Sequence, residues 1–318
     1  MSKRTWMRFV VSVAFIGVVI VLAGGFQSFQ STAQNVLTGD WTASPAYIKN
    51  KEKNAPQSVD PGKIHLSFER RTSKGGRNQN GQSYDFAELQ GLSREQVISG
   101  GPVKFSIVRE AGRIDCDGSF QNGKGSGTFR FTGNQSFVAA MKSRGFDFEE
   151  DANSNGESSL DDRLFAATTI NVTTALADDL TSAGFGKLRV DDLFKAAIFK
   201  IDSNFMREMK ASGFADLGMD ELVKARIFKI DADFVRQVSQ MGFDKEPFES
   251  LVKMQIFKVT PEFIAEVRNE GLTKLSVEEL VKLRIFKIDS EFIRKAKADG
   301  VPLDVERLVR RRIGVDSN

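Results

Sequence analysis

The chain has 318 residues, 41% of them apolar, and a formal charge of +3 from 45 basic and 42 acidic side chains. That size allows substantial cores and about two domains, while the near-balance of charge argues against a dedicated nucleic-acid binder. The lone Cys116 excludes an intrachain disulfide, and the lone His65 excludes a multi-histidine metal site. Aromatic usage is lopsided, with 27 Phe against two Tyr and two Trp, which favours core filling over binding hot spots.

At the N-terminus, Lys3, Arg4 and Arg8 precede an uncharged apolar run from Phe9 to Gly25. The polar stretch Gln27 to Gln34 follows and carries Ser31-Thr32-Ala33, a small-x-small cleavage pattern. Residues 1–33 thus read as a cleaved signal peptide or as an uncleaved membrane anchor. A helix over residues 9–25 would reach about 25 Å against a bilayer core of roughly 30 Å, yet the run is long for a signal peptide. Both readings place the remainder outside the cytoplasm, in the periplasm or anchored to the inner membrane through residues 9–25.

Residues 36–133 are predicted as a small antiparallel β-domain. Ile64, Leu66 and Phe68 alternate with polar neighbours, as do Val103, Phe105 and Ile107, then Ile114, Cys116 and Phe120, then Phe129 and Phe131. Such alternation puts one strand face on a core and the other in water. Ala111-Gly112 and Asn122-Gly123 mark two hairpin turns, so residues 102–132 form a three-stranded meander joined by Trp41 and the 63–70 strand. The polar, Gly-rich stretch Ser73 to Ser83 reads as a loop. Ser93 and Gln96 form a capping box ahead of a short helix.

Three features of this half could suggest chemistry. Gly123 to Thr128 is Gly-rich, but it lacks the Walker spacing and joins two strands, so a hairpin is expected. Cys116 points away from Asp115 and Asp117 in a strand, as a small buried thiol. His65 falls on the polar face of its strand and is expected to be solvated.

Beyond residue 134 the pattern changes. Gly184, Gly213, Gly242, Gly271 and Gly300 are 29 residues apart, and Ile198-Phe-Lys-Ile-Asp recurs at Ile227, as Ile256-Phe-Lys-Val-Thr, and at Ile285. A fixed period of this length marks stacked units, none of which buries its apolar face alone. Each unit splits into two helices. Asp202, Asp231, Thr260 and Asp289 are the expected N-caps, with Pro261 at N1 and the periodic glycine as a left-handed stop. Ser276 to Glu279 is a second capping box. Phe199, Phe228, Phe257 and Phe286 form one expected core column; Phe205, Phe234, Phe263 and Phe292 form another.

Phe131 to Phe146 matches the first half of a unit, and its helix is expected to pack on the sheet as one continuous body. The polar insertion at 149–158 follows. Its Asp151, Asn153 and Asn155 echo a calcium loop with Asp162 in the twelfth position, where a bidentate acid belongs. Arg310, Arg311 and Arg312 would supply the polar cap of a terminal repeat.

Two lysine columns form the strongest surface signal. One is Lys195, Lys224, Lys253 and Lys282; the other is Lys200, Lys229, Lys258 and Lys287. Stacking would align each into a ridge that attracts an anionic surface or ligand. Asp192, Glu221 and Glu279 recur beside the first column and are expected to neutralise it.

These motifs resemble a bacterial family of exported repeat proteins, similar to the repeat regions behind membrane-embedded zinc peptidases of the beta-lactam-sensor type. The resemblance rests on Gly39-Asp40-Trp41, Gly91-Leu92-Ser93, Arg109-Glu110-Ala111-Gly112, Gly123-Lys124-Gly125-Ser126-Gly127, and Arg284-Ile285 with Ile288-Asp289 and Phe292. Where that family often has His-Gly, this chain has Phe286-Lys287, so no role of that histidine transfers. A His-Glu-x-x-His peptidase motif is absent from the sequence. The resemblance implies an exported location and this architecture, and supplies no catalytic residue.

The expectation is an α+β protein: a small antiparallel β-domain, then an α-solenoid-like array of helical hairpins of period 29 over 134–316. The expected role is that of a non-enzymatic binding or scaffold protein of the bacterial envelope, with a protein partner and no cofactor. The resemblance adds a second reading, a regulatory or sensor partner of a membrane signalling protease. A hydrolase using Asp115 and Asp117 is the weakest, because two acids on one strand lack a demonstrated cleft.

Overall fold

The computed structural model describes residues 36–48, 58–71, 77–150, 159–184 and 186–315. Residues 1–33, expected as a signal peptide or membrane anchor, and the candidate calcium ligands Asp151, Asn153 and Asn155 lie outside the described residues. No helix among the described residues is long and apolar enough to cross a membrane.

The fold is α+β. Strands β1 (Leu37–Tyr47), β2 (Val59–Arg71), β3 (Arg77–Asp85), β4 (Leu89–Gln90), β5 (Gly101–Arg109), β6 (Gly112–Gln121) and β7 (Lys124–Gly133) form one antiparallel sheet. Their order is β3-β2-β1-β7-β6-β5-β4, so the chain's first and last strands meet in the middle. The period-two alternation sets the faces: Trp41, Ile64, Leu66, Phe68, Phe105, Ile107, Ile114, Phe129 and Phe131 are buried on one side. Trp41 anchors them, edge-on to Phe105 at 5.1 Å between centroids. A Cβ on Gly118 would meet the Trp41 ring at 2.6 Å, and one on Gly125 would meet the Phe120 ring at 2.6 Å. The Gly-rich segment therefore makes room for aromatic rings. Its turn, Asn122-Gly123, takes the two positive φ values (52° and 73°) that a two-residue hairpin requires.

One expectation is corrected. The polar run read as a loop over Ser73 to Ser83 contains most of β3, paired to β2 from Arg71↔Arg77 to Lys63↔Asp85. As an edge strand it is held by the backbone ladder, which carries no hydrophobic signature. Among its described side chains, Tyr84 is the only large one fully buried.

Helix α1 (Arg94–Ser99) begins at the Ser93–Gln96 capping box. Helix α2 (Gln135–Lys142) follows β7, and α3 (Leu160–Ile170) and α4 (Thr174–Ser182) come next. Then follow α5 (Val190–Phe199), α6 (Ser203–Ala211), α7 (Met219–Phe228), α8 (Ala232–Gln240), α9 (Phe248–Ile256), α10 (Pro261–Asn269), α11 (Val277–Ile285), α12 (Ser290–Ala298) and α13 (Val305–Ile313). Asp202, Asp231, Thr260 and Asp289 accept the N3 amides of their helices, and the periodic glycines take φ between 69° and 107°.

The odd-numbered helices from α3 to α13 pack each on the next in one row, and α3 itself lies on β6 and β7. The helix packed most closely on those strands follows the insertion; α2 packs against α4, and its Phe137, Val138 and Met141 belong to the same hydrophobic cluster as the sheet. Phe165 of α3 seats in the sheet, stacked on Phe129 at 5.2 Å and edge-on to Phe131 at 5.4 Å. A single hydrophobic cluster runs from the sheet through the helices to Val252, and a second continues from Val238 to Val309. The deepest column of the row is Leu193, Leu222, Leu251, Leu280 and Leu308, all essentially solvent-free.

Candidate interaction surface

The two lysine columns have different fates. In the first, each ammonium reaches the first turn of the next helix in the row: Lys195 to Asp220 at 2.6 Å, Lys224 to Glu249 at 2.8 Å, Lys253 to Glu278 at 3.2 Å, and Lys282 to Glu306. Two of these carboxylates, Asp220 and Glu278, stand one residue before the acids Glu221 and Glu279 expected from sequence. Glu279 is occupied by the Ser276 amide, and Asp192 lies 3.7 Å from Lys195 while bonding the Arg189 amide. The acid partners hold the Lys195, Lys224 and Lys282 ammonium groups above the ordinary lysine range. This ridge is a ladder of exposed ion pairs between helices.

The second column sits where helices end. Lys200, Lys229, Lys258 and Lys287 are exposed and all left-handed, with φ of 58°, 56°, 54° and 51°. Among the described residues they make no ion pair. The aspartates two positions on, Asp202, Asp231 and Asp289, turn a carboxylate oxygen to the amides of Phe205, Phe234 and Phe292 at 2.8–2.9 Å.

Beside each of these lysines stands an isoleucine that the fold leaves uncovered. Ile198, Ile227, Ile256 and Ile285 are 55%, 53%, 48% and 49% exposed, and Ile313 in the last helix is 54% exposed. A helical wheel accounts for this: Ile198 is five residues past buried Leu193, roughly 140° around the helix from the packed face. The intervening Phe199, Phe228, Phe257 and Phe286 are half-buried, so this expected core column is a partial one. In the other Phe column, Phe205 and Phe263 are buried, and Phe234 and Phe292 are half-buried.

A further contact that sequence reasoning missed joins the units. Arg226 lies 3.7 Å over the Phe205 ring and donates to the Lys200 carbonyl at 2.7 Å. Arg284 does the same between Phe263 (4.7 Å) and the Phe257 carbonyl (3.0 Å), and Arg312 between Phe292 (5.0 Å) and the Phe286 carbonyl (3.0 Å). Two of the three terminal arginines are thus turned back onto the preceding unit, since Arg311 pairs with Asp299.

The sheet's other face is a second candidate. A groove of about 770 Å³ is lined by Asp40, Lys104, Arg113, Asp115, Asp117 and Arg130 among others. Asp115 accepts from Ser106 Oγ and Arg113 Nε, each at 2.7 Å, and Asp117 pairs with Lys104 at 2.8 Å. Both carboxylates are well exposed (45% and 62%) and already paired with cations. Cys116 faces the opposite way, buried, and burial pushes its thiol up, away from thiolate chemistry. His65 is half-buried, with a Cβ on Gly81 falling 3.1 Å from its Nε2.

Asp162, the described member of the calcium-loop set, serves a helix start. Its Oδ2 accepts from the Ser159 amide at 2.9 Å, and its other oxygen pairs with Arg70. Among the described residues no three His, Cys, Asp or Glu side chains gather to hold a metal ion. No family model matches the chain, and no curated protein matches it.

Proposed function

We propose that the chain is a non-enzymatic binding or scaffold protein of the bacterial envelope, whose α-solenoid-like array presents one surface many times over. The observation that carries this reading is the recurrence of an exposed isoleucine near the end of Val190–Phe199, Met219–Phe228, Phe248–Ile256 and Val277–Ile285, whose starts are 29 residues apart, with an exposed lysine just past each end. Side chains facing a core repeat for packing reasons; an uncovered apolar side chain gains nothing from packing. The paired, exposed state of Asp115 and Asp117 speaks against a carboxylate-dependent hydrolase. Export rests on the basic-apolar-small pattern of residues 1–33.

The experiment is crosslinked capture of the full chain from bacterial envelope preparations. A defined protein partner recovered above background supports the scaffold reading, and a membrane signalling protease among the captured proteins would favour the regulatory role. Recovery of nothing but abundant background proteins would overturn the scaffold reading.

A further inference from the structure

Resting on that scaffold reading, we infer that the stripe of Ile198, Ile227, Ile256 and Ile285 with Lys200, Lys229, Lys258 and Lys287 docks an extended acidic segment of a partner protein, carrying an apolar residue at every third position. The ladder lysines are committed to Asp220, Glu249, Glu278 and Glu306. Lys200, Lys229, Lys258 and Lys287 have no carboxylate partner among the described residues, and each stands two positions from an isoleucine about half exposed. Each unit therefore offers one apolar contact and one ammonium, and complementarity calls for one apolar side chain and one carboxylate per unit.

Spacing then selects the partner's conformation. Packed helix axes lie about 8–10 Å apart, so equivalent isoleucines recur at about that interval along the row. A β-strand returns a side chain to one face about every 6.6 Å, too short to keep step. A polyproline-type chain returns one every third residue, about 9.3 Å, which matches. A helix with one contact per heptad advances about 10.5 Å and runs ahead of the row by a little at every unit. An apolar-x-acid triplet repeat in an extended chain is thus the fit. A membrane surface is less suited, because interfacial binding needs a continuous apolar face, and the stripe offers isolated isoleucines.

The test uses the full chain and three probes: a labelled peptide of four Leu-Ser-Glu triplets, an acidic helical peptide with leucine at every seventh position, and phosphatidylglycerol vesicles. Two variants accompany the wild type. One carries Ser at Ile198, Ile227, Ile256 and Ile285; the other carries Gly at Lys200, Lys229, Lys258 and Lys287, a change that the left-handed backbone accepts. Circular dichroism establishes that both fold.

The expected result is triplet-peptide binding with Kd below about 1 mM, weakened tenfold or more in each variant. Salt should weaken it in the wild type and much less in the Lys→Gly variant. No binding of the triplet peptide, equal binding by the wild type and both variants, or preference for the helical peptide or the vesicles would each overturn the inference. The envelope capture separates this failure from that of the scaffold reading. A partner captured equally by the wild type and the Ile→Ser variant leaves the scaffold standing and removes the stripe, whereas no captured partner removes both.

Discussion

Arg109 and Glu110, neighbours at the β5–β6 turn, grip the two sides of one helix junction. Arg109 Nη1 donates to the carbonyls of Thr168 (2.8 Å) and Thr169 (2.6 Å) at the end of α3. Glu110 Oε2 accepts from the amide (2.8 Å) and hydroxyl (2.9 Å) of Thr174 at the start of α4. A cation on C-terminal carbonyls and an anion on an N-terminal amide both follow the sense of the helix dipole. The Arg109-Glu110-Ala111-Gly112 motif is therefore a clamp between the sheet and the helices.

Arg109 is almost fully buried at the clamp and also pairs with Glu88 at 2.6 Å. Replacing it with Met removes the donor to the Thr168 carbonyl, leaves the Thr169 carbonyl to Gln82 and Tyr84, and takes the cation from the Glu88 carboxylate. The expected cost is about 2–4 kcal/mol. Glu110→Ala, on the exposed side, should cost about 0.5–1.5 kcal/mol. Urea denaturation of the two single variants and the double variant checks both values. A loss below about 0.5 kcal/mol for Arg109→Met would show that the junction is held by packing alone.

The same carbonyl gives a pH dependence. Tyr84 donates to the Thr169 oxygen at 3.3 Å, and burial raises its phenol to about 12. The unfolded phenol titrates near 10. Stability from this group is therefore complete below about pH 10 and is lost as pH climbs towards 12, because the unfolded chain releases its proton first. The lost amount is about 2–3 kcal/mol at most. Tyr84→Phe should flatten this alkaline limb while leaving the lysine contribution in place. Denaturation at pH 8 and pH 11 measures the difference; an unchanged limb would assign the alkaline loss elsewhere.

The meander, the capping residues and the glycine stops were legible because each is written within a few residues. Phe105 or Asp289 announces its role through its immediate neighbours. β3 was not legible, since Asn78 to Ser83 owes its strand to β2 and carries no apolar period of its own. Asp192 was read correctly beside Lys195, but the partners on the next helix were missed for a related reason: Lys224 meets Glu249 of the following helix in the row, while Glu221 lies on its own helix. The uncovered isoleucines were within reach of a helical wheel drawn from Leu193. The Arg109–Glu110 clamp was beyond it, because it joins residues about sixty positions apart.

The left-handed lysines make a direct stability prediction. At φ between 51° and 58° an L side chain is strained, and glycine is not. Lys229→Gly should be neutral or stabilising by up to about 1 kcal/mol, whereas Lys229→Val should destabilise by about 1–2 kcal/mol, since a β-branched residue tolerates this region worst. Thermal melts of the two variants check the sign. Destabilisation by glycine would mean that the lysine side chain itself holds the helix end.

One unit lacks the cation that its neighbours have. Where Arg226, Arg284 and Arg312 lie over Phe205, Phe263 and Phe292, the equivalent residue is Gln255, which reaches the Lys229 carbonyl at only 3.4 Å. An amide has no charge to place over the Phe234 ring and makes the weaker hydrogen bond. Gln255→Arg should restore both contacts and stabilise the chain by about 0.5–1.5 kcal/mol. The reverse change, Arg284→Gln, should cost a similar amount. Melting curves of both variants decide it. If the gain and the loss do not mirror one another, the arginine acts through its own unit's packing, and the contact to the preceding ring is incidental.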